Sequence, residues 1–177
     1  MNPRRSRDFL VLSTALIILT ADQVSKYWIR RYLLPGVPWN PVPWLRPILS
    51  LTYVTNTGAS FGLFPELSWL YTFVAIVVIA LILLFYRRLP ARYWLVSISL
   101  GMQLGGAFGN LVDRLWHGPV IDFIDLNFWP LQEWPVFNLA DSSIVVGVCI
   151  LAVYLLLEKE PLASSSNPSS DGDAHAK

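Results

Sequence analysis

Apolar positions along this chain fall in four long runs, separated by polar or proline-rich stretches. The first, Phe9–Ala21, holds only apolar and hydroxyl side chains and follows Arg4, Arg5 and Arg7. A bilayer-spanning helix needs about 20 residues. The span is therefore read as Phe9–Arg30, with Asp22 and Lys26 inside its far end. The basic start and apolar run are similar to a signal peptide, but no small-residue A-x-A site follows, so the span is expected to stay uncleaved. Leu67–Tyr86 and Tyr93–Val112 each hold 20 residues without a charge. The fourth run, Val136–Leu157, is closed by Glu158-Lys159-Glu160-Pro161. The pattern predicts an α-helical integral membrane protein with four transmembrane helices, over about 9–30, 67–86, 93–112 and 136–157.

The intervening stretches read differently. Pro35, Pro38, Pro41, Pro43 and Pro47 break helix between Tyr32 and Pro65, because each lacks an N–H and fixes φ. Leu49–Tyr53 alternates apolar and hydroxyl side chains, which predicts a short strand. Asn56-Thr57-Gly58 predicts a turn, and Ala59–Phe64 a returning strand. The expectation is a small β-sheet over about 39–65, seated at the membrane interface by its aromatics. Trp116–Pro135, rich in Trp and Pro, is expected to be a loop between the third and fourth helices. Gly101, Gly105, Gly106 and Gly109 form small-xxx-small pairs, read as helix packing. Residues 1–161 make a single domain; 162–177 form a Ser/Asp/Gly-rich tail expected to be disordered. His175 lies in that tail and carries no expected role.

Composition agrees with a chain dissolved in lipid. Hydrophobic residues make up 54% of it and charged residues 14%, against about 25% charged in a soluble domain. A net charge of +1 gives no sign of a nucleic-acid partner. The single cysteine, Cys149, cannot close an intramolecular disulfide and is read as a small packing residue. Lys and Arg near the span ends number seven on one side and five on the other. This bias places both termini in the cytoplasm and makes the sheet and the loop extracytoplasmic. Seven of the eight Trp, all except Trp94, then fall on the outer side.

Against this apolar background a few polar residues stand out, and they share one depth. Asp22 sits six residues before Trp28, about 9 Å below the outer end of the first span at 1.5 Å per residue. Asn110 and Asp113 close the third span, Asp141 opens the fourth, and Asp122 lies in the loop on the same side. Asp22 and Lys26 are spaced i,i+4, as are Asn110 and Arg114. Bland readings exist for each. Asp22–Lys26 is an internally neutralised pair, Asp113–Arg114 marks a span end, Asn138 caps a helix, Asp125 is a solvated loop residue, and His117 an interface residue.

The chemistry open to Asp122 and Asp141 is that of two carboxylates in a poorly solvated site. Such a pair shares one proton. The ionised member can take a proton from water while the protonated member donates to a carbonyl or a leaving amine. Spacing alone suits a proton relay or cation pathway equally well. No Cys/His cluster or H-E-x-x-H suggests zinc, while a carboxylate-only Mg²⁺ or Ca²⁺ site stays open.

Five blocks, in order, resemble the lipoprotein signal peptidases (signal peptidase II), aspartic membrane peptidases of bacteria. They are D-Q-V-S-K at Asp22–Lys26, N-T-G-A-S-F-G at Asn56–Gly62, G-G-A-F-G-N-L-V-D-R at Gly105–Arg114, V-I-D-F at Val120–Phe123 and F-N-L-A-D-S-S-I at Phe137–Ile144. The resemblance implies a peptidase of the bacterial inner membrane, with its site at the outer interface. Its substrates would be diacylglyceryl-modified prolipoproteins, cleaved just before the lipidated cysteine. The family's catalytic aspartates map onto Asp122 and Asp141. Its supporting positions map onto Asp22, Lys26, Asn56, Gly58, Asn110, Asp113, Arg114 and Asn138. The resemblance implies no metal or organic cofactor; membrane lipid as surroundings, a globomycin-type peptide antibiotic as inhibitor and a monomeric state are further expectations. The tail after Pro161 matches nothing in the family.

Overall fold

The structure is a computed structural model and describes residues 3–57, 68–88 and 94–158. In chain order the elements are α1 (Pro3–Tyr32), β1 (Pro38–Trp39), β2 (Leu49–Asn56), α2 (Ser68–Phe85), α3 (Trp94–Trp116), β3 (Val120–Leu126) and α4 (Leu139–Glu158). Among the described residues α1, α3 and α4 are long and apolar enough to cross a membrane, and α2 is a shorter apolar helix. The predicted strand at Ala59–Phe64, the turn residue Gly58 and the tail lie outside the described residues.

Helix α3 is the centre of the bundle. Two thirds of its most apolar window is buried, against 17% for α1 and α4. Its glycines explain how it admits a neighbour on each side. A Cβ on Gly105 would stand 2.6 Å from the Ala15 carbonyl of α1, and one on Gly106 2.5 Å from the Ala140 carbonyl of α4. Bare backbone at these points lets both helices approach closely. Val11, Ala15, Leu104, Ala107 and Leu111 fill the α1–α3 seam, and Ile79 of α2 closes it. The outward faces keep Leu12, Leu16, Val145 and Leu156 exposed, as expected of helices surrounded by lipid.

The sheet has the order β1-β2-β3 and is antiparallel. β2 pairs with β3 in the register Ser50 opposite Asp125, Val54 opposite Asp122 and Asn56 opposite Val120, with an irregularity between Leu51 and Val54. Ile121 and Phe123 pack with Ile29 of α1 beneath it.

Strand β3 corrects the expectation of a loop through Trp116–Pro135. Val120, Ile121, Asp122 and Phe123 are all buried, so the segment faces protein on both sides. A strand buried on both faces has no apolar/polar alternation to read. Asp122 therefore sits on a paired strand and is 2% exposed, not on a mobile loop. Asp125 is likewise not simply solvated: its Oδ2 accepts from Thr52 Oγ1 at 2.6 Å. Helix α3 runs one turn beyond the predicted span end, bringing Asp113 and Arg114 inside it, and α4 begins at Leu139. Cys149 is exposed rather than packed.

Candidate active site

The site forms where β2, β3, α3 and α4 meet at one end of the bundle, with α1 behind them. Phe137 is decisive for the local path of the chain. The Phe123 and Ile124 N–H groups donate to the Phe137 carbonyl at 2.9 and 2.7 Å, and Phe137 N–H returns a bond to Ile124 O at 3.1 Å. This stitch against β3 places the next residue, Asn138, beside Asp122. Asn138 is also the residue that caps α4, immediately before Leu139.

The first turn of α4 is closed by a reciprocal capping box. Asp141 N–H donates to Asn138 Oδ1 at 2.9 Å, and Asn138 N–H donates to Asp141 Oδ2 at 3.2 Å. Two donors free at any helix start are satisfied in this way. The other end of the Asn138 amide is then turned outward from the cap. Its Nδ2 donates to Asp122 Oδ1 at 2.7 Å and to Asn110 Oδ1 at 3.2 Å. Asn138 thus caps the helix that carries one aspartate while binding the other.

Each carboxylate is held by an amide at both oxygens. Asp122 Oδ2 accepts from Asn56 Nδ2 of β2 at 2.9 Å. Asp141 Oδ1 accepts from Asn110 Nδ2 of α3 at 2.7 Å. Burial pushes the Asp122 carboxyl up to about 6; the Asn56 hydrogen bond opposes this, and the neighbouring Asp141 charge adds to it.

Behind the pair lies a buried ionic cluster. Lys26, 1% exposed, has its Nζ 2.8 Å from Asp22 Oδ2 and 2.8 Å from Asp113 Oδ2, both residues fully buried. It also donates to Asn110 Oδ1 at 3.0 Å. Asp22 Oδ1 accepts the Ala140 N–H of α4 at 3.0 Å, so this carboxylate of α1 satisfies a donor next to the cap. Asp113 Oδ2 accepts Ile121 N–H of β3 at 3.5 Å. The cluster therefore ties α1, α3, α4 and β3 together. Asp22, Lys26, Asn56, Asn110, Asp113, Asp122, Asn138 and Asp141 form one network. Arg114 stands beside it, half-buried, donating to Asn110 O at 3.4 Å and facing the charges of Asp141, Asp122 and Asp113. Of the predicted set only Gly58 lies outside the described residues.

Gln23 and Arg30 were not singled out from the sequence, and His117 was read there only as an interface residue. Gln23 Nε2 donates to Asp22 Oδ2 and to Gly109 O at 3.1 Å, and to Asp113 Oδ1 at 3.5 Å. Its place inside D-Q-V-S-K was a signal. Arg30 and His117 approach Asp113 Oδ1 at 3.9 and 3.8 Å, with no spacing cue for the first. Among the described residues no group of three His, Cys, Asp or Glu is placed to hold a metal ion. Beside Asp122 opens a groove of about 240 Å³, lined by Val54, Thr55, Asn56, Thr57, Pro135 and Val136. The arrangement offers paired carboxylates, fixed by amide donors, next to space for a peptide.

Residues 14–157 match the family described as "Signal peptidase (SPase) II". The chain is 46% identical over 149 residues to the lipoprotein signal peptidase of Moorella thermoacetica, covering 84% of this chain and 93% of that one. The lipoprotein signal peptidase of Desulfitobacterium hafniense is 42% identical over 149 residues, covering 84% and 94%. The chain belongs to the signal peptidase II family. A solved bacterial membrane enzyme shares its fold with a TM-score of 0.75 at 25% identity, covering 92% of this chain and 94% of that one. This signal peptidase II family member is a membrane protein and a hydrolase, and the family places it in the aspartic class. That membership also decides between peptidase and ion pathway, which spacing left open.

Proposed function

We propose that this peptidase removes signal peptides from prolipoproteins, with Asp122 and Asp141 as the catalytic dyad. One observation carries the reading: Asn138 joins the two carboxylates, capping the helix that bears Asp141 while donating to Asp122. Two acids so held can divide the labour of peptide hydrolysis. Asp122, whose burial keeps a proton on it to about pH 6, is assigned the acid role toward the substrate carbonyl. Asp141 is assigned the base role, taking the proton of the attacking water. Once the tetrahedral carbon has formed, Asp141 returns that proton to the leaving amine, and as the C–N bond breaks and the carbonyl re-forms Asp122 takes back the proton it gave. No covalent intermediate and no cofactor are required.

The finer reading follows the family. The substrate carries a diacylglyceryl group on its lipobox cysteine, and the scissile bond is the one before it. A lipid-anchored cysteine would present that bond at the membrane surface, the depth at which the polar network gathers. We place the chain in the bacterial inner membrane as a monomer with four spans, both termini cytoplasmic and the site outward. Globomycin-type peptides would compete for the groove beside Asp122. The test is cleavage of a lipidated lipobox substrate by the purified protein. Asp122→Asn and Asp141→Asn are each expected to abolish cleavage while the fold survives. Activity retained in either variant overturns the dyad.

A further inference from the structure

Lys26 bonds to neither aspartate of the dyad, yet a polar chain runs from it to Asp141. An ammonium group has three donors, and those of Lys26 go to Asp22 Oδ2, Asp113 Oδ2 and Asn110 Oδ1, at 2.8, 2.8 and 3.0 Å. Asn110 Oδ1 accepts a second bond from Asn138 Nδ2 at 3.2 Å. A side-chain amide has its oxygen on one side and its NH2 on the other. With the oxygen held by Lys26 and Asn138, the NH2 of Asn110 has to face Asp141 Oδ1, which it meets at 2.7 Å. The flipped amide would aim its oxygen at a carboxylate and its NH2 at an ammonium. Both contacts would be repulsive, and burial leaves little water to soften them.

We propose that Lys26 is a positioning residue: by holding the Asn110 carbonyl it locks the amide donor toward Asp141 and so fixes the orientation of that carboxylate within the dyad. The inference rests on the dyad reading above. Lys26 also neutralises Asp22 and Asp113, so a purely structural role has to be separated from this one. A buried charge left without its partner is strongly destabilising, which makes Lys26→Met on its own a poor probe. Adding Asp113→Asn removes one negative charge along with the positive one and keeps the local net charge.

The experiment is a double-mutant cycle on the full chain in detergent, in which Lys26→Met is always made together with Asp113→Asn, so that every arm has the local charge of the wild type. Lys26→Met, Asn110→Ala and their combination are compared for kcat, KM and thermal unfolding. A misaimed catalytic group costs roughly 100-fold in rate. Lys26→Met is therefore expected to lower kcat about 100-fold with KM within about threefold. Once Asn110 is Ala, the same change is expected to cost less than about threefold, because the path it acts through is gone. Losses that multiply overturn the proposal and leave Lys26 a structural ion. If the Lys26 variants do not fold, Asn110→Asp on the otherwise unaltered chain serves instead. It keeps the contact with Lys26 but offers Asp141 a second acceptor. Folded protein with about 100-fold lower kcat supports the proposal, and near-normal kcat overturns it. Asp122→Asn and Asp141→Asn, assayed alongside, keep the two readings apart. Activity in either removes the dyad itself, whereas loss in both leaves the Lys26 result to be judged alone.

Discussion

Replacing Asp122 by Asn has a consequence for stability that is separate from its effect on cleavage. Asp122 is 2% exposed, and burial raises its carboxyl from 3.8 to about 6. The folded protein therefore binds this proton more tightly than the unfolded chain does. The sign follows from linkage: the favourable contribution is fully present below pH 3.8 and is lost as pH rises through about 6. At about 1.4 kcal/mol for each pH unit, the gap between 3.8 and about 6 corresponds to about 3 kcal/mol. Most of it, roughly 2–3 kcal/mol, falls between pH 4 and pH 8. An Asn at this position does not titrate, but it misplaces an NH2 against either Asn56 or Asn138. That costs on the order of 1–3 kcal/mol at every pH. Subtracting the two pH profiles removes the constant loss and any titration common to both proteins. The variant should therefore gain on the wild type by roughly 2–3 kcal/mol from pH 4 to pH 8. This is a relative rise in Tm on the order of 5–10 °C for a chain of this size. Thermal unfolding in one detergent across that range measures it. A flat difference would refute the argument that burial, not function alone, raises the proton affinity of Asp122.

Other perturbations test other joints of the site. A methyl group at Gly109 would run into the Asp22 carboxylate, so Gly109→Ala is expected to cost about 2–4 kcal/mol in unfolding experiments. Asn138→Ser retains a helix-capping oxygen but not the reach to Asp122, whereas Asn138→Ala lacks both. Both variants leave the buried Asp122 Oδ1 without its Asn138 donor, which costs on the order of 1–3 kcal/mol. The Ala variant should lose about 1–2 kcal/mol more than the Ser variant, which keeps the cap, and the Ser variant should lose at least about tenfold in kcat, as expected when a catalytic group is slightly misplaced. Equal activity in the Ser variant and the wild type would reduce Asn138 to a cap. Cleavage of the lipidated substrate should be undiminished after extensive dialysis against EDTA; a loss restored by Mg²⁺ or Ca²⁺ would assign the carboxylates to a metal instead.

Much of this protein is legible in its sequence because lipid imposes a simple rule. Uninterrupted apolar runs such as Tyr93–Val112 must be helical, since backbone N–H and C=O groups have no water to bond to in the bilayer core. By the same rule, charged residues inside those runs are costly and stand out. Asp22, Lys26 and Asp141 could therefore be picked out by contrast alone, and their shared depth followed from helix rise. What the sequence could not convey is which groups face one another. Strand β3 was hidden because both its faces are buried, which erases the alternation that reveals a strand. Gln23 was passed over because adjacent residues on one helix seldom face each other; besides its bond to Asp22 Oδ2 it reaches Gly109 O and Asp113 Oδ1 of α3, contacts that no local spacing reveals. The bridge at Asn138 needs β3, the Phe137 stitch and the start of α4 to converge. Local sequence specified the cap, but only that convergence turned its amide toward Asp122 and made two separate aspartates into one site.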